Sequence, residues 1–415
     1  MTSRTIVLVE FSPSGGLFQF AARLGTSLAE RGEHVILLTG PDPEIRTGVP
    51  GLEIRSVLPT WHPAEGSPDT AGPPGSPGTA GSARAAVTRA ATLVRRGTRA
   101  ARLVAAWVVL AATLARLRPD VVLWSNWRFM FEPLFVVAIT RLLPRSIYGI
   151  VAHEPLPRSD ARDTSTPREG RALRAAFAAA WRRMDIVYVL GTSARREVLE
   201  NWRPRGEVVV IPHGPVEAFG DHDPGASAAA TGPEILFFGT WTRYKGLEQL
   251  LEAFAEVRRT VPDARLVVAG AVSADLDLAA VTSLAHRVGG VDLRPGYVDA
   301  ADVPGMIRSA RMVVTPYLRA SQSGVIHLAY THARPVVSTD VGDLAEAVRD
   351  GETGLLVPPG AVLALAGALE RLLLDPALAA RLGARGQEEL AGTGDDAARL
   401  VSEALDRCVT AGGDR

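Results

Sequence analysis

The 415-residue sequence has one cysteine, Cys408, and among its 45 basic residues only Lys245 is a lysine. A single cysteine excludes an intrachain disulfide and a multi-cysteine zinc site, and it fits a reducing compartment. Neither charge is in excess: 45 acidic residues balance 45 basic ones. Nucleic-acid-binding proteins usually carry a basic excess, so nucleic acid is not expected as a partner. No apolar run approaches the ~20 residues of a membrane-spanning helix. The first apolar run, Ile6 to Val9, is too short for a signal peptide and reads as a strand, so a cytoplasmic placement is expected.

The length exceeds one ordinary core and predicts two domains. Thr5–Val9 reads as a buried strand, followed by a turn holding Gly15 and Gly16, then a helix ending near Gly32 and a strand at Val35–Leu38. Glycines at a helix start let a ligand approach the backbone where the helix favours negative charge. A purely structural tight turn explains the pair equally well, and the spacing is not that of a dinucleotide fingerprint. Residues 59–83 are mostly Pro, Gly, Ser, Thr and Ala and predict a disordered loop. A long Ala/Arg/Leu helix follows from Ala83 to Arg118, with Gly97 as a candidate break. Arginines crowd Arg84 to Arg102, ahead of an apolar stretch with Trp107. That pattern suits either an anionic membrane surface or an amphipathic helix packed on the sheet with a solvated Arg face. Strand and helix patterns then alternate to Ile211, and alternation of this kind predicts a parallel sheet with helices on both faces. His153 and His213 fall at strand ends, where such sheets bind ligands.

A Gly/Ala/Asp/Pro-rich linker is expected at 221–233, after a first domain at 1–220. The alternation restarts with Ile235–Phe238 and defines a second domain over 234–390. A last amphipathic helix lies within 391–415. The expected fold class is therefore α/β, two tandem Rossmann-like doubly wound domains facing a central cleft.

Lys245 stands in Phe238-Gly239-Thr240-Trp241-Thr242-Arg243-Tyr244-Lys245-Gly246, between a strand and a helix. Lysine is a compact point charge on a slim stem, unlike the broad arginine fork, and suits a narrow site facing phosphate. In the same half, Ser321-Gln322-Ser323-Gly324 precedes a helix. Ser323 either caps that helix or offers its hydroxyl beside the helix N-terminus. Glu346 reads either as a carboxylate for sugar or ribose hydroxyls or as a first-turn acid satisfying the helix dipole. Asp275 and Asp277 read as surface acids at a helix start, and no metal site is expected.

The second half resembles glycosyltransferase family 4, of the GT-B fold. The residues that carry this are Phe238-Gly239, Lys245-Gly246, Leu250–Phe254, Leu266–Gly270, Pro335–Gly342 with Glu346, and Gly351–Val357. The first half is similar more loosely, through Gly15-Gly16, His153 and Ile211–Gly214. The resemblance implies retaining sugar transfer from a nucleoside-diphosphate sugar, with no obligatory cofactor or metal. It implies that Lys245 holds the diphosphate, that Gly15-Gly16 approaches donor phosphate or acceptor, and that His153 faces the transferred sugar. Gly270, Tyr297 and Val298 would border the base, and the final helix would cross back to the first domain. The acceptor would be a glycan, a lipid-linked sugar or a small molecule, with peripheral contact to the inner membrane face through 84–118.

Two departures stand out. Thr240 follows the strand-ending glycine where the family has arginine nearby, so Arg243 is the candidate helper of Lys245. A pair of glutamates usual in the family falls on Ala320 and Leu328 here, with Ser321 to Gly324 in that region instead. A binding subunit without turnover and a nucleotide-sugar epimerase are the alternatives to a transferase.

Overall fold

The computed structural model describes residues 3–46, 49–60, 81–127, 131–156, 171–215, 225–393 and 395–412; side chains are described from Gly97 onward in the helix that begins at Gly81. The first sheet holds seven parallel strands: β1 (Thr5–Val9), β2 (His34–Thr39), β3 (Leu52–Ser56), β4 (Val121–Trp124), β5 (Ile147–Ala152), β6 (Ile186–Val189) and β7 (Glu207–Val210). Their spatial order is β3-β2-β1-β4-β5-β6-β7. The second sheet holds β8 (Glu234–Phe238), β9 (Arg265–Gly270), β10 (Val291–Pro295), β11 (Met312–Thr315), β12 (Val336–Thr339) and β13 (Gly354–Val357), ordered β10-β9-β8-β11-β12-β13. Central strands such as Val121–Trp124 are apolar at every position because helices cover both faces of a parallel sheet.

Each sheet reverses its direction of growth once, between β1 and β4 and between β8 and β11. Crevices for ligands form at the carboxyl ends of strands at such reversals. The loop with Gly15-Gly16 leaves β1, the loop with Gly239 and Lys245 leaves β8, and the loop with Ser321–Gly324 leaves β11. The topology therefore puts all three sequence-singled loops at the two reversal points.

The connecting helices are α1 (Gly16–Glu30), α2 (Gly81–Leu117), α3 (Glu132–Leu142), α4 (Arg171–Trp181) and α5 (Thr192–Asn201) in the first half. The second half has α6 (Leu247–Thr260), α7 (Leu278–Val288), α8 (Val303–Ser309), α9 (Gly324–Thr331), α10 (Leu344–Ala347), α11 (Val362–Leu374) and α12 (Pro376–Ala391). Helix α6 buries Leu247, Leu250, Leu251, Phe254 and Val257, a stripe of period 3.6 facing its sheet. The last helix, α13 (Asp396–Gly412), returns to the first sheet: Ala398, Val401, Ala404 and Leu405 are fully buried in that domain's core. Tyr188 donates to the Val401 carbonyl at 3.2 Å, and Arg4 pairs with Asp406 at 2.7 Å.

Helix α2 runs unbroken through Gly97 and starts at Gly81, inside the span expected to be a disordered loop; residues 61–80 of that span lie outside the described residues. Residues 221–224 of the expected linker also lie outside them. By length and composition Gly97–Leu117 is apolar enough to cross a membrane. Its Leu103, Trp107, Leu110 and Leu114 are nevertheless buried in the first domain's core, and Trp107 stacks on Phe135 at 5.4 Å. Packing on the domain explains that apolar stripe; Val104 and Val108 remain exposed on the other side.

Where the second domain begins, Arg334 is fully buried and fixes the incoming chain. Its guanidinium donates to the carbonyls of Ala226, Arg308, Ala310 and His332 at 2.6–2.9 Å. A buried charge so far from carboxylates is tolerable because four carbonyl dipoles satisfy it.

Candidate active site

The two reversal points face one cavity of about 350 Å³ between the domains. From the first domain, β1 ends in a turn braced by Glu10, whose carboxylate accepts the Ser12 N–H at 2.9 Å. Gly15 follows with φ 85°, and a β-carbon on Gly15 or Gly16 would meet nothing within 4 Å. The backbone there opens onto the cavity. One face of α1 then lines it through Gly16, Gln19, Phe20 and Arg23, at helical spacing. The glycine turn is also tied across the cleft. Glu44 accepts the Gly15 N–H at 3.0 Å and the Gln19 amide at 3.1 Å, and it accepts the Tyr297 hydroxyl of the second domain.

From the second domain, Gly239 (φ 113°) and Gly270 (φ 140°) end β8 and β9 side by side. A β-carbon on Gly270 would stand 2.1 Å from the Gly239 carbonyl oxygen, so only glycine allows the two strand ends to close up. The chain then makes a 3-10 turn, Arg243–Lys245, and starts α6 through Gly246 at φ 69°, packed on the Pro316 carbonyl. This turn swings Lys245 back over the strand ends: its ammonium would lie 3.0 Å from a β-carbon on Gly239, and it sits 5.2 Å above the Tyr317 ring. Burial pulls the Lys245 pKa below its ordinary value, with Tyr244 and Glu154 acting in the opposite direction. Burial also pushes the Tyr317 hydroxyl up to about 12.

The Ser321–Gly324 loop completes the wall. It is held from below by Gly342 and by the Asp343 N–H, which donates to Ser321 at 2.9 Å. Ser323 occupies the N-cap of α9, but its hydroxyl makes no cap bond and reaches the Tyr317 hydroxyl at 3.4 Å. Gly15, the N-cap of α1, has no side chain to cap with. Two helix N-termini from opposite domains thus reach the cavity with no cap from their own N-cap side chains, although Glu44 takes the Gly15 N–H of α1.

Of the sequence-singled residues, Gly15, Gly16, Gly239, Thr240, Lys245, Gly270, Tyr297, Val298, Ser321, Gln322, Ser323 and Gly324 all line this cavity. Three do not. Arg243 is exposed and lies outside the lining; its backbone N–H donates to Asp275 at 3.0 Å. Glu346 sits at a different interdomain contact. It accepts the Thr192 N–H at 3.1 Å and the Thr192 hydroxyl, beside Asp343, which accepts the N–H groups of Ser193 and Ala194 at 2.7 and 3.2 Å. The two carboxylates of the second domain cap α5 of the first, so Glu346 satisfies a helix dipole, but in trans. His153 is buried at 2% exposure behind the lining; it contacts Gln322 Nε2 through Nδ1 at 3.4 Å and meets Phe20 edge-on at 4.9 Å. Ala320 and Leu328, where the family resemblance placed glutamates, do line the cavity, so these positions face it as apolar groups. Asp277 caps α7 by accepting the Ala280 N–H at 3.0 Å, a structural role.

Sequence reasoning missed Gln19, Arg23, Glu44, Glu154, Tyr244 and Tyr317. The first two were legible as the continuation of the Gly16 face along α1; Glu44 was not, since nothing local marks a loop carboxylate that reaches back 29 residues. His213 also lines the cavity. It stacks on His327 across the interface at 4.3 Å, and burial holds both imidazoles below their ordinary pKa, His327 at about 4.

Residues 232–375 match the family model described as glycosyl transferases group 1. The alpha-D-kanosaminyltransferase of Streptomyces kanamyceticus is 35% identical over 156 residues, which are 36% of this chain and 39% of that protein. The glycogen synthase of Mycobacterium tuberculosis is 28% identical over 279 residues, 66% of this chain and 64% of that one. The chain therefore spans less than two thirds of the length of these curated relatives. Among solved structures, sucrose-phosphate synthase from Thermosynechococcus elongatus superposes with TM-score 0.70 at 21% identity over 99% of this chain and all of that one. Anabaena HepE, solved in complex with UDP-glucose, superposes with TM-score 0.64 at 13% identity over 98% of this chain and all of that one. Identities this low show the fold alone. Residues 232–375 thus match a group 1 glycosyl transferase domain, and the whole chain shares the two-sheet GT-B fold of these solved structures.

Proposed function

We propose that the chain transfers a sugar from a nucleoside-diphosphate sugar to an acceptor hydroxyl. The carrying observation is that two helix N-termini without a cap from their own N-cap side chains and the chain's one lysine face the same cavity. A departing diphosphate gains negative charge, and fixed donors aimed at that charge lower the barrier. Lys245 and the N–H groups at the start of α9 meet the diphosphate. Ala271, Val298 and Val303 form an apolar flank that suits a planar base. Gln322 Oε1 is buried without a hydrogen-bond partner among the described residues and accepts a sugar hydroxyl. In the transfer the bond from the anomeric carbon to the β-phosphate oxygen breaks, the acceptor oxygen bonds to that carbon, and the acceptor proton passes to the leaving oxygen. Retention of configuration is part of this reading and is supported by the resemblance to family 4. No metal is invoked, since Lys245 and the helix termini supply the counter-charge. His153 acts through Gln322, which it contacts.

Titration with a panel of nucleoside-diphosphate sugars, read by thermal shift and product analysis, tests the proposal. A donor that raises the melting temperature and is consumed, with consumption reduced about a hundredfold or more in Lys245→Ala, is the expected result. Binding without turnover across donors and acceptors would instead make the chain a partner subunit, the reading favoured by apolar Ala320 and Leu328 in the cavity. Interconversion of the donor with no acceptor present would make it an epimerase. The acceptor is a saccharide, a lipid-linked sugar or a small molecule of the same cleft. Contact with anionic lipid through the 84–118 segment is tested by vesicle flotation, which drops when Arg99 and Arg102 are neutralised if that contact exists.

A further inference from the structure

The edge of the first sheet opposite the cleft concentrates positive charge that sugar transfer does not use. All its strands are parallel, so every connection entering a strand lies on that edge. The connection entering β5 supplies Arg141, the one entering β6 supplies Arg182 and Arg183, and the one entering β7 supplies Arg205. These four line one groove of about 650 Å³. β5, β6 and β7 are adjacent in the sheet, which is why residues so far apart in sequence converge. Several exposed arginines elsewhere carry acids: Arg259 with Glu256, Arg294 with Asp292, and Arg399 with Asp396 and Glu403. None of the four groove arginines has an acidic partner among the described residues. The local acids are already engaged. Asp185, the one acid lining the groove among the described residues, accepts the Tyr148 N–H at 2.9 Å and leaves the four arginines in excess, and Glu207 pairs with Arg407 at 3.1 Å.

Four like charges around one concavity repel one another, and a multiply charged anion between them removes that repulsion. The planar guanidinium fork matches phosphate oxygens in pairs. A concave groove admits a small molecule or a terminal phosphate group, whereas a flat membrane surface would need the arginines to stand proud. We propose that this groove is a binding site for a multiply charged, phosphate-bearing small molecule, separate from the cleft and facing away from it.

Inorganic pyrophosphate is the probe, titrated calorimetrically into full-length Lys245→Ala protein so that the cleft contributes least, against sodium chloride of equal ionic strength. Saturable binding is expected, weakened at least about tenfold by the added triple change Arg182→Ala, Arg183→Ala and Arg205→Ala. The same three positions changed to Lys keep the charge and lose the fork, and are expected to bind with intermediate affinity and an unchanged melting temperature. If pyrophosphate does no more than sodium chloride, or if the triple change leaves its affinity untouched, there is no such site. If the triple change abolishes flotation with vesicles of phosphatidylglycerol and phosphatidylcholine in equal parts while pyrophosphate fails to bind, the edge is a membrane surface and the proposal is overturned.

Discussion

Lys245 is an ammonium held where an ammonium is costly. Burial lowers its pKa, and no carboxylate pairs with it among the described residues. The charged form is the one that binds a diphosphate, and a bound diphosphate favours it in return. Donor affinity should therefore fall as pH rises through the depressed pKa of the empty cleft. Calorimetry of nucleoside-diphosphate binding across the alkaline range should show this decline, and Lys245→Gln should be weak and flat over the same range. A wild-type affinity that does not change with pH would remove Lys245 from the diphosphate site. The glycines offer a second contrast at this scale. Gly270→Ala drives a methyl to within 2.1 Å of the Gly239 carbonyl at φ 140°, and should lower stability by ~1–3 kcal/mol. Gly16→Ala has open space around the added carbon and should leave the melting temperature unchanged while weakening ligand binding, because that space is the cavity. Equal melting temperatures for both variants would contradict this assignment. Lys245 and the paired glycines were legible in the sequence because unusual residue types at strand ends have few other uses. Arg243 was not: it is exposed at the start of the 3-10 turn that carries Lys245 back over the strand ends, and no spacing rule reveals which residue of that turn faces the cavity.

At the scale of elements, α5 is the unusual one. Its N-terminus begins after Gly191, with no side-chain cap of its own, and draws its caps from Asp343 and Glu346 in the other domain. A β-carbon at Gly191 would stand 2.2 Å from the Asp343 carboxyl carbon, so the fit of the two domains depends on that glycine. Helix caps contribute about 1 kcal/mol each, and here that stabilisation goes to the closed arrangement as well as to the helix. Asp343→Ala with Glu346→Ala should lower stability by about 2 kcal/mol and enlarge the radius of gyration in small-angle scattering. A loss of stability without expansion would mean the carboxylates serve α5 alone. The strands, the order of helices and the two domains were readable from alternation and apolar runs. The role of Glu346 was half readable: the first-turn acid was visible, but the helix it serves belongs to another part of the chain. Ser323 shows the reverse case, since a residue type suited to capping leaves its helix start open to the cavity.

At the scale of the whole molecule, the domains touch on two sides of the cleft with unequal strength. On one side the Tyr297 hydroxyl donates to Glu44; on the other, two carboxylates take four hydrogen bonds from the start of α5, near the stacked His213 and His327. The arrangement favours opening on the Tyr297 side with the α5 side as pivot. Helix α13 limits that motion because it is joined to the second domain through α12 yet packed in the core of the first. Val401, Ala404 and Leu405 are fully buried there, and burying a Val or Leu side chain stabilises by roughly 1.5–3 kcal/mol. Ending the chain at Thr393 would expose the apolar surface of α1 and β6 that this helix covers. The first domain should then melt several degrees or more below the second, so that calorimetry resolves two transitions where the full chain shows them closer together. The second domain has its own core and needs nothing from α13, so its transition should stay in place. If the truncated chain melts as the full one does, α13 is an appendage, and the crossing contributes nothing to holding the two halves of the site in register.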